Sequence, residues 1–226
     1  MISYDLTTSD VLADDSKNLC NIYMKNNIDD DDDNEDTVNL NQNLYYTETE
    51  FLNFITTNKF NNLNNLTIIS INIANFFSKL GSFKIFISNI TSKDNKPDII
   101  VVVETHINEN NNAGYSQEEM KNIIPGYDFF HRGRKSKRGG GVGILVSKDI
   151  EGEAQICKTT TAKTKFIDEQ FENISVRIPG ALASSGANDK KDLIIVAVYR
   201  QPNSDNLETF LESIENLLLT IDKINI

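Results

Sequence analysis

Three polar residues stand at the ends of apolar segments, where they could bind a metal ion or a phosphate group. Glu104 follows five consecutive apolar residues, Asn72 ends a β-branched segment, and Tyr199 ends another apolar run. A carboxylate at the edge of a buried strand is costly unless it is paired or binds a cation. Mg²⁺ prefers one or two carboxylates together with phosphate oxygens and water. An ordinary strand end or turn also carries such residues, so both interpretations stay open.

A strongly basic segment lies between Glu104 and Tyr199. Three glycines follow it directly, and its basic residues are Arg132, Arg134, Lys135, Lys137 and Arg138. Such a loop can follow a phosphate backbone, and each charge adds salt-dependent affinity for nucleic acid. Arg200, next to Tyr199, could add another phosphate contact. A solvated hairpin tip and a nuclear localisation signal are the alternatives for the basic segment.

The net charge of −11 conceals two regions of different character. Residues 1–66 contain 13 acidic residues and 3 lysines, whereas residues 67–226 contain 20 acidic and 19 basic residues. The near-neutral remainder is compatible with binding to nucleic acid. Residues 1–65, with the aspartate run Asp29–Asp33 and Asn-rich flanks, predict a disordered tail that buries too little apolar surface to fold.

Strand and helix patterns alternate from residue 66 onward and must position the polar residues. The predicted strands are Leu66–Asn72, Asp98–Glu104, Tyr127–His131, Gly141–Val146, Phe171–Ile178 and Leu193–Tyr199. The predicted helices are Phe76–Ile90, Ser116–Ile123 with a capping box at Glu119, and Asp205–Lys223 with Asn203 or Ser204 as its N-cap. The residues expected on the inner face of the last helix are Leu207, Phe210, Leu211, Ile214, Leu217 and Leu218. This order predicts an α/β layered domain whose sheets are covered on both faces.

Targeting signals and a membrane anchor are not predicted. The first residues have no basic and apolar leader pattern, and the run Leu193–Tyr199 is far shorter than the roughly 20 residues that a bilayer requires. Cys20 and Cys157 form no motif and are expected to be free thiols in a reducing, intracellular compartment. We expect no membrane partner and no small-molecule cofactor.

The order of the motifs resembles the endonuclease domain of non-LTR retrotransposons, a branch of the exonuclease–endonuclease–phosphatase superfamily. The matching features are Asn72, Pro97-Asp-Ile-Ile followed by Glu104-Thr105, Pro125-Gly-Tyr127, Arg138-Gly-Gly-Gly-Val-Gly-Ile144 and Tyr199-Arg-Gln-Pro-Asn-Ser204. The resemblance covers about Leu66 to Ile226. It implies a four-layer α/β sandwich, in which two packed mixed sheets lie between outer helices.

The resemblance also implies an activity, which is the hydrolysis of a DNA phosphodiester to nick target DNA for retrotransposition. Asn72 and Tyr199 would be catalytic residues, Glu104 would be both catalytic and the ligand of Mg²⁺ or Mn²⁺, and the location would be nuclear. The family continues with Gly-Asp-x-Asn and Ser-Asp-His motifs, which supply the water-activating and general-base groups. This sequence reaches Ile226 before them, and His106 and His131 stand in other places.

We therefore expect residues 66–226 to form a C-terminally truncated endonuclease-like domain with little or no activity of its own. The alternatives are a non-catalytic nucleic-acid-binding remnant that uses the basic segment, and a phosphoesterase of the same superfamily with another substrate.

Overall fold

The computed structural model describes residues 2–5, 20–22, 44–46, 53, 66–91, 96–108, 113–133, 139–157, 171–183, 190–200 and 207–222. Its strands are β1 (Ile2–Asp5), β2 (Cys20–Ile22), β3 (Leu44–Tyr46), β4 (Ile68–Asn72), β5 (Ile99–Val103), β6 (Tyr127–Arg132), β7 (Val142–Ser147), β8 (Gln155–Ile156), β9 (Phe171–Ala183) and β10 (Lys190–Arg200). The helices are α1 (Phe76–Thr91), α2 (Gln117–Lys121) and α3 (Leu207–Asp222). The predicted α/β class, with two sheets and outer helices, is confirmed.

The strands form a seven-stranded sheet in the order β3-β2-β1-β4-β5-β7-β6 and a three-stranded sheet in the order β10-β9-β8. In the larger sheet β4 and β5 are parallel, while β7 runs antiparallel to both β5 and β6. Asn72 is paired with Val103, Val103 with Val142, and Val142 with Arg132. The ends of four strands therefore meet at one edge, where Asn72 and Arg132 come together from distant parts of the sequence.

Each face of the larger sheet has its own hydrophobic cluster, because successive residues of a strand point to opposite faces. On one face, Ile71 and Phe129 belong to the same buried cluster as Phe76 of α1, whose ring stacks on Phe129 with centroids 4.8 Å apart. On the other face, Ile144 clusters with Val176 of β9. The two sheets thus pack face to face, and α1 covers the larger sheet from outside.

The smaller sheet is built on the long pairing of β9 and β10. Residues of β10 whose side chains enter the inter-sheet cluster, such as Ala197 and Tyr199, alternate with residues that face outward. One outward residue, Arg200, places its guanidinium 5.7 Å from the ring centre of Phe210 in α3. Helix α3 therefore lies on the outer side of this sheet and completes four layers.

Three strands belong to the segment that the sequence predicts to be a disordered tail. Strand β1 pairs in parallel with β4, and β2 and β3 continue the larger sheet beyond it. The other residues before residue 66, apart from residue 53, lie outside the described part of the chain, as does the aspartate run. The predicted disorder of those residues stays a prediction.

The connection between β9 and β10 is shorter than the sequence predicts. The pattern indicates a polar loop over residues 180–191, whereas β9 extends to Ala183 and β10 starts at Lys190. Asp192 accounts for part of this extension, since its carboxylate accepts hydrogen bonds from the Gly180 amide at 2.9 Å and from Arg177 Nε at 2.6 Å. These contacts lower the pKa of Asp192, the Gly180 amide contributing most.

Helix α3 buries a narrower stripe than its sequence predicts. Among the residues predicted for the inner face, Leu217 is buried and Phe210 and Ile214 are half-buried. Leu207, Leu211 and Leu218 are each more than half exposed, so the assignment of these three to the inner face is wrong. The sheet beneath the helix has only three described strands, and one side of the helix is enough to cover it. The predicted N-cap residues Asn203 and Ser204 lie outside the described residues.

The predicted capping box of α2 is confirmed. Ser116 caps α2, and Glu119 completes the capping box through the Ser116 amide at 2.8 Å. Cys157 is buried and forms no disulfide with another described residue. Among the helices in the described part of the chain, none is both long enough and apolar enough to cross a membrane.

The burial of His131 makes the stability of the fold depend on pH. Its Nδ1 atom is buried without a hydrogen-bond partner among the described residues, and its ring stacks on Phe129 at 5.3 Å. Burial lowers the pKa of His131. Below the ordinary histidine pKa of about 6.5, the unfolded chain therefore takes up a proton that the folded chain resists.

We predict that the free energy of unfolding falls as the pH falls below about 6.5 and levels off below the folded-state pKa of His131. Urea unfolding at a series of pH values measures this dependence. His131→Gln should flatten the profile. A wild-type profile that is flat between about pH 7 and pH 5 contradicts the prediction.

Candidate active site

The candidate site lies at the edge of the larger sheet where β4 and β5 end and β7 begins. Asn72 ends β4 next to Val103, and Glu104 is the first residue after β5. By the alternation of β4, the Asn72 side chain is on the inter-sheet face, like Ile68. Its Oδ1 accepts a hydrogen bond from the Ala74 amide at 3.2 Å. Its Nδ2 has no hydrogen-bond partner among the described residues and can donate to a ligand.

A hydrogen bond joins the two sheets at this edge. The Tyr199 hydroxyl donates to Glu104 Oε1 at 2.7 Å, across 95 residues of sequence. Both side chains are partly buried, and Tyr199 packs against the inter-sheet cluster. A hydrogen bond to a charged carboxylate is about twice as strong as a neutral one. Two of the residues that the sequence predicts for the site are therefore in direct contact, although their catalytic roles stay predictions.

The backbone around Glu104 is held in an unusual conformation. Glu104 and His106 have φ angles of 55° and 53°, and Ala74 and Asn75 in the neighbouring loop have φ angles of 44° and 92°. Left-handed conformations cost about 1–3 kcal/mol each for residues other than glycine, and they persist where the surroundings hold them. Here the Asn75 amide donates to the Glu104 carbonyl at 2.9 Å, so the two loops hold each other.

The three glycines after the basic segment pack against the loop that carries Glu104. The His106 amide donates to the Gly140 carbonyl at 2.8 Å, and the Thr105 amide donates to the Gly141 carbonyl at 3.2 Å. All three glycines have φ angles between 65° and 89°, which residues with a Cβ rarely adopt. At Gly141 a Cβ would also collide with Thr105 Oγ1. The glycines therefore have a structural role in placing the loop, as well as starting β7.

Glu172 is a residue of this region that the sequence reasoning missed. It lies in β9, is 5% exposed, and its carboxylate accepts a hydrogen bond from the Gly141 amide. The signal is present in the alternation of β9, because Glu172 is in phase with the inward residues Ile174 and Val176. A carboxylate in an inward position of a strand indicates a specific polar contact.

The basic residues are not all brought to this edge. Arg132 ends β6 and is paired with Val142, so it lies two strands away from Glu104. Arg200 faces the outer layer, where it contacts Phe210 as a cation above an aromatic ring, and it does not converge with Tyr199. The remaining basic residues, Arg134, Lys135, Lys137 and Arg138, lie outside the described residues. Their predicted contacts with nucleic acid stay predictions.

A divalent cation would have one carboxylate ligand here. Glu104 Oε2 has no hydrogen-bond partner among the described residues, and Mg²⁺ can be held by one carboxylate when phosphate oxygens and water complete its shell. Among the residues that the structure describes, no three His, Cys, Asp or Glu side chains are grouped to hold a metal ion. The donor set therefore fits a hydrated magnesium or manganese ion shared with a phosphate substrate, and does not form an all-protein cage.

The hydrogen bond between Tyr199 and Glu104 should be measurable as an energetic coupling. We predict that Tyr199→Phe and Glu104→Ala, combined in a double-mutant cycle of urea unfolding, give a coupling energy of about 1–2 kcal/mol. Asp149 provides a control, because it follows β7 at the opposite edge of the sheet. A cycle of Tyr199→Phe with Asp149→Ala should show no coupling. Additive effects in both cycles contradict the bond.

Comparisons with known proteins find solved structures that are similar to this chain. The chain is similar to an AP endonuclease from Archaeoglobus fulgidus, with a TM-score of 0.44 and 21% identity, covering 71% of this chain and 52% of that one. It is also similar to the AP endonuclease LMAP from Leishmania major, with a TM-score of 0.49 and 13% identity, covering 74% and 50%. The chain thus spans about half the length of both structures. No protein-family model and no curated protein matches it.

Proposed function

We propose that the chain carries the phosphate-binding and metal-binding part of a DNA phosphodiesterase site of the endonuclease type. The observation that carries this proposal is the hydrogen bond of 2.7 Å between Tyr199 and Glu104, at the same sheet edge as Asn72. Glu104 provides an anionic oxygen for a cation, Tyr199 holds its other oxygen, and the amide hydrogens of Asn72 can be donated to phosphate oxygens. That combination suits a phosphodiester that binds together with a divalent cation.

The residues of the site would divide the work in a simple way. Tyr199 holds one oxygen of Glu104, which leaves the other oxygen available to the cation. Asn72 donates its Nδ2 hydrogens to a non-bridging phosphate oxygen. A bound Mg²⁺ or Mn²⁺ would polarise the phosphoryl group and neutralise part of its charge. Together these contacts bind and orient the phosphodiester before any bond is broken.

Hydrolysis also needs a group that activates water. Neither histidine is placed with Asn72 on the inter-sheet face. His131 is in phase with Phe129 and faces the layer of α1, while the His106 ring lies beside Gly139. We therefore propose that these residues bind the phosphodiester and cation but cleave DNA slowly or not at all. In keeping with the order of the motifs, we propose that the site is that of a retroelement nuclease that acts in the nucleus.

A non-catalytic nucleic-acid-binding role is the second candidate. It is favoured by the five basic residues among residues 132–138, which concentrate positive charge in a region that is close to neutral as a whole. This role requires the basic segment, whereas the first proposal requires Glu104. Each can therefore be tested without removing the residues on which the other depends.

We predict that Mg²⁺ strengthens binding to duplex DNA and that Glu104→Gln reduces this metal-dependent gain by about tenfold. Fluorescence anisotropy with labelled DNA, in Mg²⁺ and in EDTA, measures the gain. The matched control is Glu208→Gln, an exposed glutamate of α3, which should bind as the wild type does.

The outcomes of the binding and cleavage assays separate three cases. Binding that is equal in Mg²⁺ and EDTA contradicts the metal site at Glu104. Rapid nicking of supercoiled plasmid, abolished by Glu104→Ala, would show that the chain is an active nuclease and that the proposed lack of turnover is wrong. Binding that survives Glu104→Gln but depends strongly on salt favours the second candidate.

The basic segment gives a separate prediction on salt dependence. Replacing Lys135 and Lys137 by Gln should reduce the slope of log affinity against log salt concentration by about 0.9 for each phosphate that the segment no longer neutralises. The control replaces Lys84 and Lys191, which are exposed on α1 and β10. Slopes that are the same for both double variants would exclude a phosphate-binding role for the two lysines of the segment.

A further inference from the structure

Glu172 is a buried carboxylate that the proposed function does not use. Among the described residues, it is the only charged side chain that is buried, with 5% of its surface exposed. Its neighbours on the inward side of β9 are Ile174, Val176 and Ile178 of the inter-sheet cluster. An ionised carboxylate is not stable in such a place without hydrogen-bond donors, so its contacts define its role.

The contact of Glu172 with Gly141 links the smaller sheet to the glycine turn. The Gly141 amide is available as a donor to a side chain because β7 begins only at Val142. The Gly141 carbonyl accepts the Thr105 amide, and the Gly140 carbonyl accepts the His106 amide. The position of the Gly141 backbone therefore determines where the residues that follow Glu104 can lie.

Glu172 is also placed next to the other partner of the Glu104 hydrogen bond. In the pairing of β9 and β10, Glu172 is the direct partner of Tyr199, and both side chains are on the inter-sheet face. Tyr199, the donor of the hydrogen bond, is thus the cross-strand neighbour of Glu172. Glu104, the acceptor, is followed by residues whose amides bind the glycine turn, and Glu172 holds that turn through the Gly141 amide. The glycine turn alone cannot provide this, since glycine is the least restrained residue.

We propose that Glu172 is a positioning residue that holds the Gly141 amide and thereby keeps Glu104, with its left-handed backbone, within hydrogen-bond distance of Tyr199. What it requires for this is an acceptor oxygen at the end of a side chain of glutamate length. Its importance for binding a phosphodiester rests on the proposed function, but its effect on the geometry of Glu104 and Tyr199 does not.

The test measures the coupling between Glu104 and Tyr199 in different Glu172 backgrounds. The double-mutant cycle of Glu104→Ala and Tyr199→Phe is repeated in Glu172→Ala and in Glu172→Gln. We expect the coupling to disappear in Glu172→Ala and to be retained in Glu172→Gln, whose amide oxygen can still accept from Gly141. Amide exchange at Gly141 should be faster in Glu172→Ala and unchanged in Glu172→Gln.

Ile178→Val provides a matched control, because it removes one methyl group from the same face of the same strand and leaves the polar contacts intact. It should reduce stability and keep the coupling. If Glu172→Ala does not fold, Glu172→Asp gives the same comparison, since it keeps the charge and withdraws the acceptor by one methylene. Coupling that persists in both Glu172→Ala and Glu172→Asp, or that disappears equally in Ile178→Val, overturns the proposal.

The readout separates this proposal from the proposed function. A wild-type chain that binds no DNA, but whose coupling disappears in Glu172→Ala, shows that Glu172 positions the pair and that the phosphodiester proposal fails. Suppose instead that Mg²⁺-dependent DNA binding requires Glu104, but the coupling is the same in Glu172→Ala as in the wild type. The phosphodiester proposal then holds, and Glu172 does not position the pair. DNA binding that is lost in Glu172→Ala and retained in Glu172→Gln would support both proposals.

Discussion

The hydrogen bond from Tyr199 to Glu104 depends on the packing of two sheets, and the candidate site exists only because that packing places their edges together. Neither residue is near the other in sequence, and neither sheet contains both. The apolar faces of β7 and β9 determine the distance between the sheets. A change in that distance of about 1 Å would break the bond, because hydrogen bonds weaken steeply beyond their normal length. The polar site therefore relies on the hydrophobic core beneath it.

The second constraint is local, and it concerns the backbone that presents Glu104. A strand that continued regularly past Val103 would place the next side chain on the face of α1, away from Tyr199. The left-handed conformation at Glu104 changes this direction. Its cost is offset by backbone hydrogen bonds to the loop after β4 on one side and to the glycine turn on the other. Three separate segments of the sequence are thus needed to orient the Glu104 carboxylate.

Much of this structure can be predicted from the sequence, and the exceptions have physical reasons. Apolar runs and helical spacing predict the strands and helices of residues 66–222 except the two-residue strand β8, and polar residues at strand ends point to Asn72, Glu104 and Tyr199. The contact between Glu104 and Tyr199 cannot be predicted from pattern, because it depends on how two sheets pack. Arg200 is a neighbour of Tyr199 in sequence, but successive residues of a strand face opposite sides. Glu172 escapes prediction because the alternation of β9 shows that it faces inward without showing which donor it meets.

The charge of the site gives a last constraint on what it can bind. Glu104 brings a carboxylate to the end of β5, where it accepts a hydrogen bond from the neutral Tyr199 hydroxyl. A phosphate group would meet repulsion from this carboxylate unless positive charge came with it. The proposed cation on Glu104 would supply that charge at the carboxylate itself. Phosphate binding at this edge should therefore depend on the cation, and this dependence separates the proposed metal site from the alternative role of the basic segment.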